Sequence, residues 1–282
     1  MFRHGIGLAM RIYRASPLYP RLGRSLAKVL SWVAPKKAVQ ATVNGIRFEL
    51  DLREVIDSSL YYSGTFEPHA EAIMASVVAT GGVVIDVGAN IGYHTFALAR
   101  TVGPTGNVTA IEPTTLAFEK LERNLALNDF PNVRLIRCGL SDRDEGDVQV
   151  EFQSSFRLDG KPDLRKETVR LVTLDTLVKE LGLTRLDFIK IDVDGYEAKV
   201  FAGAKETLTR FRPIIFFEFG PGLIRDAGGV PETLLELLFG LGYQIETETH
   251  KPTPDIAAVF GSVQAGIGII NLLATPGTNR MR

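Results

Sequence analysis

The chain has 282 residues, of which 45% are hydrophobic and 23% are charged, and its formal net charge is −1. These proportions are ordinary for a soluble globular protein, and the length allows one large α/β domain with an N-terminal extension. The single cysteine, Cys138, excludes an internal disulfide, and no apolar run reaches the ~18 residues of a membrane span. Arg11 and Arg14 interrupt the first apolar stretch, so we expect no secretory signal and a cytoplasmic location.

The first 48 residues form a basic arm on an acidic body, because they hold nine Lys or Arg residues and no Asp or Glu. Residues 2–35 predict two helices, and the second has an apolar stripe with basic residues on another face. Such a helix either packs on the enzyme body or makes a peripheral contact with the inner membrane surface. We favour packing on the body, because amphipathic helices are far more common than membrane-surface helices.

Strands and helices alternate along the rest of the chain. Asn44-Gly45, flanked by alternating strands, favours a β-hairpin with a type I′ turn. The following elements are then expected: helix 67–79, strand 83–87, helix 92–100, strand 107–112, helix 115–128, strand 133–138, strand 169–172, helix 174–181, strand 186–192, helix 196–209, strand 213–219, and late strands 243–247 and 268–273. Residues 141–168 are polar and show the least pattern. This alternation predicts an α/β fold with a mostly parallel sheet and helices on both of its faces.

The most informative segment lies between strand 83–87 and the helix that follows it. Asp86, Gly88, Asn90 and Gly92 fall in this loop, where an α/β sheet holds a nucleotide-like ligand. The glycine spacing lacks the G-x-G-x-x-G pattern of dinucleotide sites. Twenty-four residues after Gly88, Glu112 ends the next strand, which places its carboxylate to bind ribose hydroxyls. The sequence therefore predicts a ligand that has a ribose but need not have a diphosphate.

Together, these segments resemble the FkbM-type methyltransferases, which are class I S-adenosylmethionine-dependent enzymes. The resemblance covers about residues 42–275 and rests on these motifs: Tyr62–Pro68, Asp86–Gly92, Ile111-Glu112-Pro113, Gly139-Leu140-Ser141-Asp142 and Lys190–Glu197. It implies a Rossmann-like sheet with one late antiparallel strand. The implied organisation is a basic helical extension (1–40), a hairpin and helix lid (41–80), a cofactor-binding domain (81–275) and a tail (276–282).

The resemblance also implies which residues hold S-adenosylmethionine. Asp86 and the loop from Gly88 through Asn90 to Gly92 would hold the methionine part, and Glu112 would hold the ribose. Leu140, with Ser141 or Asp142, would contact the adenine. Glu67 stands beside Phe and Pro just before the glycine loop, where an acid needs a partner, and we expect it to line the cofactor pocket.

Methyl transfer to a hydroxyl depends on positioning and gains from a general base. Asp192 ends the fourth strand of the predicted parallel sheet and is our first candidate for that base. Glu218, at the end of an apolar strand, is the second candidate, and His94, one turn into the helix after the glycine loop, is the third. Carboxylates are ligands that divalent cations prefer, and three lie at these strand ends: Asp192, Asp194 and Glu218. Their spacing in the sequence does not require a metal ion, so we assign none.

The predicted function is an O-methyltransferase that acts on a hydroxyl of a sugar, glycan or natural-product small molecule. A lipid-linked glycan fits the basic helix slightly better than other acceptors. The main alternative is an RNA methyltransferase that uses the basic arm. Enzymes that methylate base amines carry a Pro-Pro-aromatic motif, and the segment Asp192-Val193-Asp194-Gly195 does not match it. This mismatch makes the RNA methyltransferase the less favoured function. A nicotinamide dehydrogenase is disfavoured, because this chain lacks the glycine pattern of that class. A scaffold protein that binds the cofactor without catalytic activity is a further alternative.

Overall fold

The structure is a computed structural model that describes residue 35 and residues 37–158, 162–264 and 268–277. Its strands are β1 (Val39–Val43), β2 (Ile46–Leu50), β3 (Val83–Val87), β4 (Asn107–Ile111), β5 (Val133–Ile136), β6 (Gly139–Leu140), β7 (Gly146–Phe156), β8 (Pro162–Val172), β9 (Phe188–Ile191), β10 (Ile214–Phe219), β11 (Tyr243–Thr247) and β12 (Ile270–Pro276). The two helices predicted within residues 2–35 lie, apart from residue 35, outside the described residues. Within the described ranges, no helix is long and apolar enough to cross a membrane.

A seven-stranded sheet forms the centre of the molecule, in the order β11-β12-β10-β9-β3-β4-β5. β12 runs antiparallel to both of its neighbours, and the other strands of this sheet are parallel to one another. The predicted mostly parallel sheet with one late antiparallel strand is therefore confirmed. β3 pairs with β4, the next strand in the chain, along one edge and with β9 along its other edge, so the strand order reverses at β3. Ligands of open α/β sheets bind at such a switch point, beyond the carboxyl ends of the strands.

Helices cover both faces of this sheet and bury its apolar side chains. In chain order they are α1 (Val55–Ser63), α2 (Pro68–Val77), α3 (Tyr93–Val102), α4 (Thr115–Ala126), α5 (Leu174–Glu180), α6 (Glu197–Ala202), α7 (Lys205–Phe211), α8 (Pro221–Asp226), α9 (Pro231–Gly240) and α10 (Ile256–Gln264). All four residues of β9 are buried, which is usual for a central strand with helices on both sides.

The N-terminal hairpin confirms its sequence prediction. Asn44 and Gly45 have φ values of 51° and 80°, as a type I′ turn requires, and β1 pairs antiparallel with β2. Backbone N–H groups of β2 donate to two asparagine side chains, at 2.8 Å from Glu49 to Asn124 on α4 and at 2.9 Å from Arg47 to Asn128 just after α4. The hairpin is thereby held against the main sheet through α4. The division of the chain at residues 40 and 80 stays a prediction.

Two expectations from the sequence are wrong. The predicted helix 196–209 is divided into α6 and α7, because Gly203 and Ala204, with ψ values of 9° and 8°, leave the helical conformation between them. Residues 141–168, in which the sequence predicts no strand or helix, also have regular structure. They contain β7 and most of β8, which pair as a long antiparallel hairpin beside β6.

Candidate active site

The glycine loop after β3 bends towards the end of β9. Gly88 has a φ of 79°, and a Cβ at this position would collide with the carbonyl oxygen of Asp192. Gly92 has a φ of 93°, and a Cβ there would lie 2.6 Å from the ring of Phe96 and 2.7 Å from Leu121. The first glycine therefore lets the loop approach β9, whereas the second lets α3 begin against the core.

Glu112 fixes the other side of this loop. Its Oε2 accepts a hydrogen bond from the backbone N–H of Asn90 at 3.0 Å, and its Oε1 accepts bonds from the N–H and hydroxyl of Thr114 at 3.0 and 2.7 Å. Burial raises the pKa of this carboxyl, although the hydrogen bonds oppose that effect. A carboxylate has about four acceptor positions, so one remains for a ligand hydroxyl.

A cavity of about 550 Å³ lies over these carboxyl ends; we call it the larger cavity. Gly88 and Asn90 line it on the loop side, Glu112 lines its centre, and Leu140 and Ser141 line its far side. The hairpin of β7 and β8 supplies one wall, which includes Val150 and Leu171 among others. An acidic centre with an apolar far end suits a nucleoside, whose ribose binds the acid and whose base packs on apolar groups.

Lys190 lies beneath the glycine loop and holds it to two carboxylates. Its side chain is 4% exposed, and its Nζ lies 3.4 Å from Asp86 Oδ1 and 3.4 Å from Asp192 Oδ2. The same ammonium donates to the carbonyl of Gly88 at 3.1 Å. Burial alone would lower the pKa of Lys190, but the charges of Asp86 and Asp192 outweigh it and hold that pKa above its ordinary value. Lys190 is therefore a permanent cation.

A second cavity of about 280 Å³, the smaller cavity, adjoins the larger one. Glu67 and His94 line it, and the Nε2 of His94 lies 3.5 Å from Oε2 of Glu67. Burial acts to raise the pKa of Glu67, but the hydrogen-bonding and charge of His94 and the charge of Lys190 outweigh it and lower that pKa. Within the described part of the chain, neither ring nitrogen of His94 has a well-formed hydrogen bond. Both nitrogens are buried, so His94 lines the smaller cavity with other atoms of its side chain while Nε2 faces Glu67.

Carboxylates concentrate where the two cavities meet. Asp192, Asp194 and Glu218 line both of them. Glu197 is buried behind these three residues, where its Oε1 accepts the N–H groups of Val193 and Gly195 at 3.1 and 3.2 Å. Burial raises the pKa of Glu197 to about 7. Burial, followed by the charge of Asp192, raises the pKa of Glu218 to about 9.

The structure brings most of the predicted site residues to these two cavities. They are Glu112, Leu140 and Ser141 in the larger cavity, Glu67 and His94 in the smaller one, and Gly88, Asn90, Asp192 and Glu218 in both. Asp86, Gly92 and Asp142 line neither of the two. Asp86 is fully buried and accepts a hydrogen bond from Thr95 Oγ1 at 2.6 Å, while Asp142 is exposed. A direct ligand contact from these three residues stays a prediction.

Sequence reasoning missed three contributors to the site. Lys190 had a signal, since it is the one charged residue inside the apolar run from Phe188 to Ile191. The β7–β8 hairpin also had one, because apolar and polar residues alternate from Asp147 to Phe152. Glu197 gave no such signal, because an acid in the first turn of a helix is ordinary.

Comparisons with known proteins agree with this geometry. The methyltransferase FkbM domain model matches residues 86–245, which is more than half of the chain. Methyltransferase sdnD of Sordaria araneosa is 28% identical over 236 residues, which are 71% of this chain and 87% of that protein. The 31-O-demethyl-FK506 methyltransferase FkbM of Streptomyces tacrolimicus is 25% identical over 248 residues, covering 76% and 88% respectively. Hexuronic acid methyltransferase AglP of Haloferax volcanii is 28% identical over 186 residues, covering 64% and 71%.

The sheet order, the glycine loop and the acid at the end of β4 define a class I S-adenosylmethionine-dependent methyltransferase. The extent of the domain match then fixes the family: the chain belongs to the FkbM methyltransferases.

Proposed function

We propose that this enzyme transfers the methyl group of S-adenosylmethionine to a hydroxyl of a sugar or a natural-product small molecule. The observation that carries the proposal is the junction of the two cavities, where Asp192, Asp194 and Glu218 line both. A cofactor in the larger cavity and an acceptor in the smaller one would meet at these carboxylates.

The chain's own residues fit the cofactor in the larger cavity. Glu112 keeps one acceptor position for a ribose hydroxyl, and Gly88 and Asn90 of the glycine loop line the same cavity. When bound, S-adenosylmethionine supplies an electrophilic methyl group on a positively charged sulfur. The carboxylates at the junction suit that positive charge, because they lie in a partly buried site where charges interact strongly.

The lining of the smaller cavity favours an acceptor without an acid group. Glu67, Asp192 and Glu218 present carboxyl groups to it, and the ammonium of Lys190 is already bound to Asp86 and Asp192. A hydroxyl compound finds hydrogen-bond acceptors in these oxygens, whereas a carboxylate would meet like charge. One relative is named for action on 31-O-demethyl-FK506 and another is named a 2-O-methyltransferase, and both names support transfer to a hydroxyl oxygen. A third relative is named for a hexuronic acid, and its acceptor therefore differs from the one proposed here in carrying an acid group.

A labelling experiment tests the proposal. Purified protein is incubated with methyl-labelled S-adenosylmethionine and either neutral glycosides, uronic acid glycosides or an extract of the source cells. We expect label in a small-molecule fraction, in a bond that survives mild alkali, because methyl ethers resist conditions that hydrolyse methyl esters.

Alkali-labile label would indicate a carboxylate acceptor and would contradict the hydroxyl proposal. Label that ribonuclease treatment releases would indicate RNA as the acceptor. Binding of S-adenosylmethionine without transfer to any fraction would favour the non-catalytic scaffold. The variant Glu236→Gln serves as a control, because Glu236 is exposed on α9 and lines neither cavity.

A further inference from the structure

Glu218 stands in an unusually acidic environment at the junction of the two cavities. Burial and the charges of Asp192, Glu197, Asp194 and Glu67, in that order, raise the pKa of Glu218 to about 9. Charged and titratable groups surround the junction on every side. They are Lys190 on β9, Asp192 and Asp194 in the loop after β9, Glu197 and Lys199 on α6, Glu67 before α2, His94 on α3, Glu112 after β4, and Glu248, whose Oε2 accepts a hydrogen bond from Asn271, opposite Glu218 on β12.

Lys190, a cation that lines the smaller cavity, is bound to partners other than Glu218. Lys190 Nζ contacts Asp86, Asp192 and the carbonyl of Gly88. Asp192 is therefore held in an ion pair with Lys190. Glu218 lines both cavities, so it is exposed to the donor side and the acceptor side. Asp192 also lines both cavities, but its ion pair with Lys190 holds it in place, so Glu218 is the freer of the two to take a proton from the acceptor.

We infer that Glu218 is a base that the positive charge of the methyl donor activates. Glu218 is protonated in the free enzyme, releases its proton when the sulfonium group binds at the junction, and takes up the acceptor's hydroxyl proton during transfer. This inference rests on the proposed function. It adds that the donor's charge, and not only its methyl group, prepares the enzyme for catalysis.

The step balances in atoms and charge. The acceptor oxygen forms a bond to the methyl carbon while the carbon–sulfur bond breaks and leaves its electron pair on sulfur. The hydroxyl proton moves to Glu218. Because the product thioether is neutral, Glu218 no longer faces a positive charge and retains that proton. Binding of the next donor molecule then releases the proton to solvent.

The inference can be tested by binding alone, without knowledge of the acceptor. S-adenosylmethionine and S-adenosylhomocysteine differ by one methyl group and one positive charge. Calorimetric titrations in two buffers of different ionisation enthalpy give the number of protons released with each ligand. At about pH 7.5 we expect S-adenosylmethionine to release up to one proton more than S-adenosylhomocysteine.

The same coupling should appear in the affinities. Between roughly pH 6.5 and 8.5, the ratio of Kd for S-adenosylmethionine to Kd for S-adenosylhomocysteine should fall by up to about tenfold per pH unit. Glu218→Gln should abolish most of this fall. Glu236→Gln, an exposed residue on α9 that lines neither cavity, should keep it. The ligands' own amino groups titrate alike with each protein, so comparing the variants removes their contribution.

Equal proton release for both ligands with the wild-type protein would overturn the inference, and that measurement does not depend on how the variant folds. A difference that persists in Glu218→Gln would also overturn it, because another carboxylate would then hold the proton. Failure of both ligands to bind would instead refute the proposed function. A loss of the difference in Glu218→Gln alone supports the inference.

Discussion

Replacement of Lys190 by methionine should destabilise the protein, because it leaves the Asp86 carboxylate buried without its cation. Asp86 is fully buried, and the Lys190 side chain is only 4% exposed. Removing one partner of such a pair costs about 3–5 kcal/mol of unfolding free energy. The contact with Asp192 adds little, since Asp192 is 35% exposed and a solvated pair contributes at most about 1 kcal/mol. At about 2–4 °C per kcal/mol, the Tm should fall by roughly 6–20 °C.

Urea and thermal unfolding, followed by circular dichroism, measure this loss. Lys205→Met, which changes an exposed lysine on α7, is the matched control and should stay within about 0.5 kcal/mol of the wild type. The double variant Asp86→Asn with Lys190→Met removes both charges and should recover most of the stability. A loss of less than about 1 kcal/mol for Lys190→Met, or a double variant less stable than the single one, would refute this account of the pair.

The strands of the sheet and the position of its ligand edge could be predicted, because both follow from local patterns. Strands with apolar runs, the turn at Asn44-Gly45 and the glycine loop each carry their own signal in a few neighbouring residues. Since the carboxyl ends of parallel strands meet at one edge, predicting each strand was enough to bring Glu112, Asp192 and Glu218 together. The cavity linings agree with that reasoning.

The charge state of the site could not be predicted in the same way. Asp192 ranked first as the base because it ends a central strand, but whether it is free depends on the position of Lys190, two residues before it. In a strand, residues i and i+2 lie on one face, so this pairing was foreseeable. The burial of Glu197 and its bonds to the backbone of the preceding loop depend on tertiary packing, which no local pattern shows.

Three further predictions concern the cofactor site. Glu112→Gln should weaken S-adenosylmethionine binding by roughly 10- to 100-fold, because hydrogen bonds to a charged group contribute about 1.5–3 kcal/mol; calorimetric titration measures the Kd. Gly88→Ala should lower the free energy of unfolding by about 1–3 kcal/mol in urea, because of its positive φ and the carbonyl of Asp192, whereas Gly261→Ala, with open space around its Cβ, should not. Glu218→Gln should change how stability depends on pH. The pKa of Glu218 is raised from 4.5 to about 9 in the folded protein, so its contribution to stability is complete below about pH 4.5 and is lost as the pH rises through about 9. Glutamine cannot ionise, so the Tm of the variant relative to the wild type should rise steadily from about pH 5 to about pH 9. A difference in Tm that stays constant over this range would show that Glu218 ionises in the folded protein as it does in the unfolded chain.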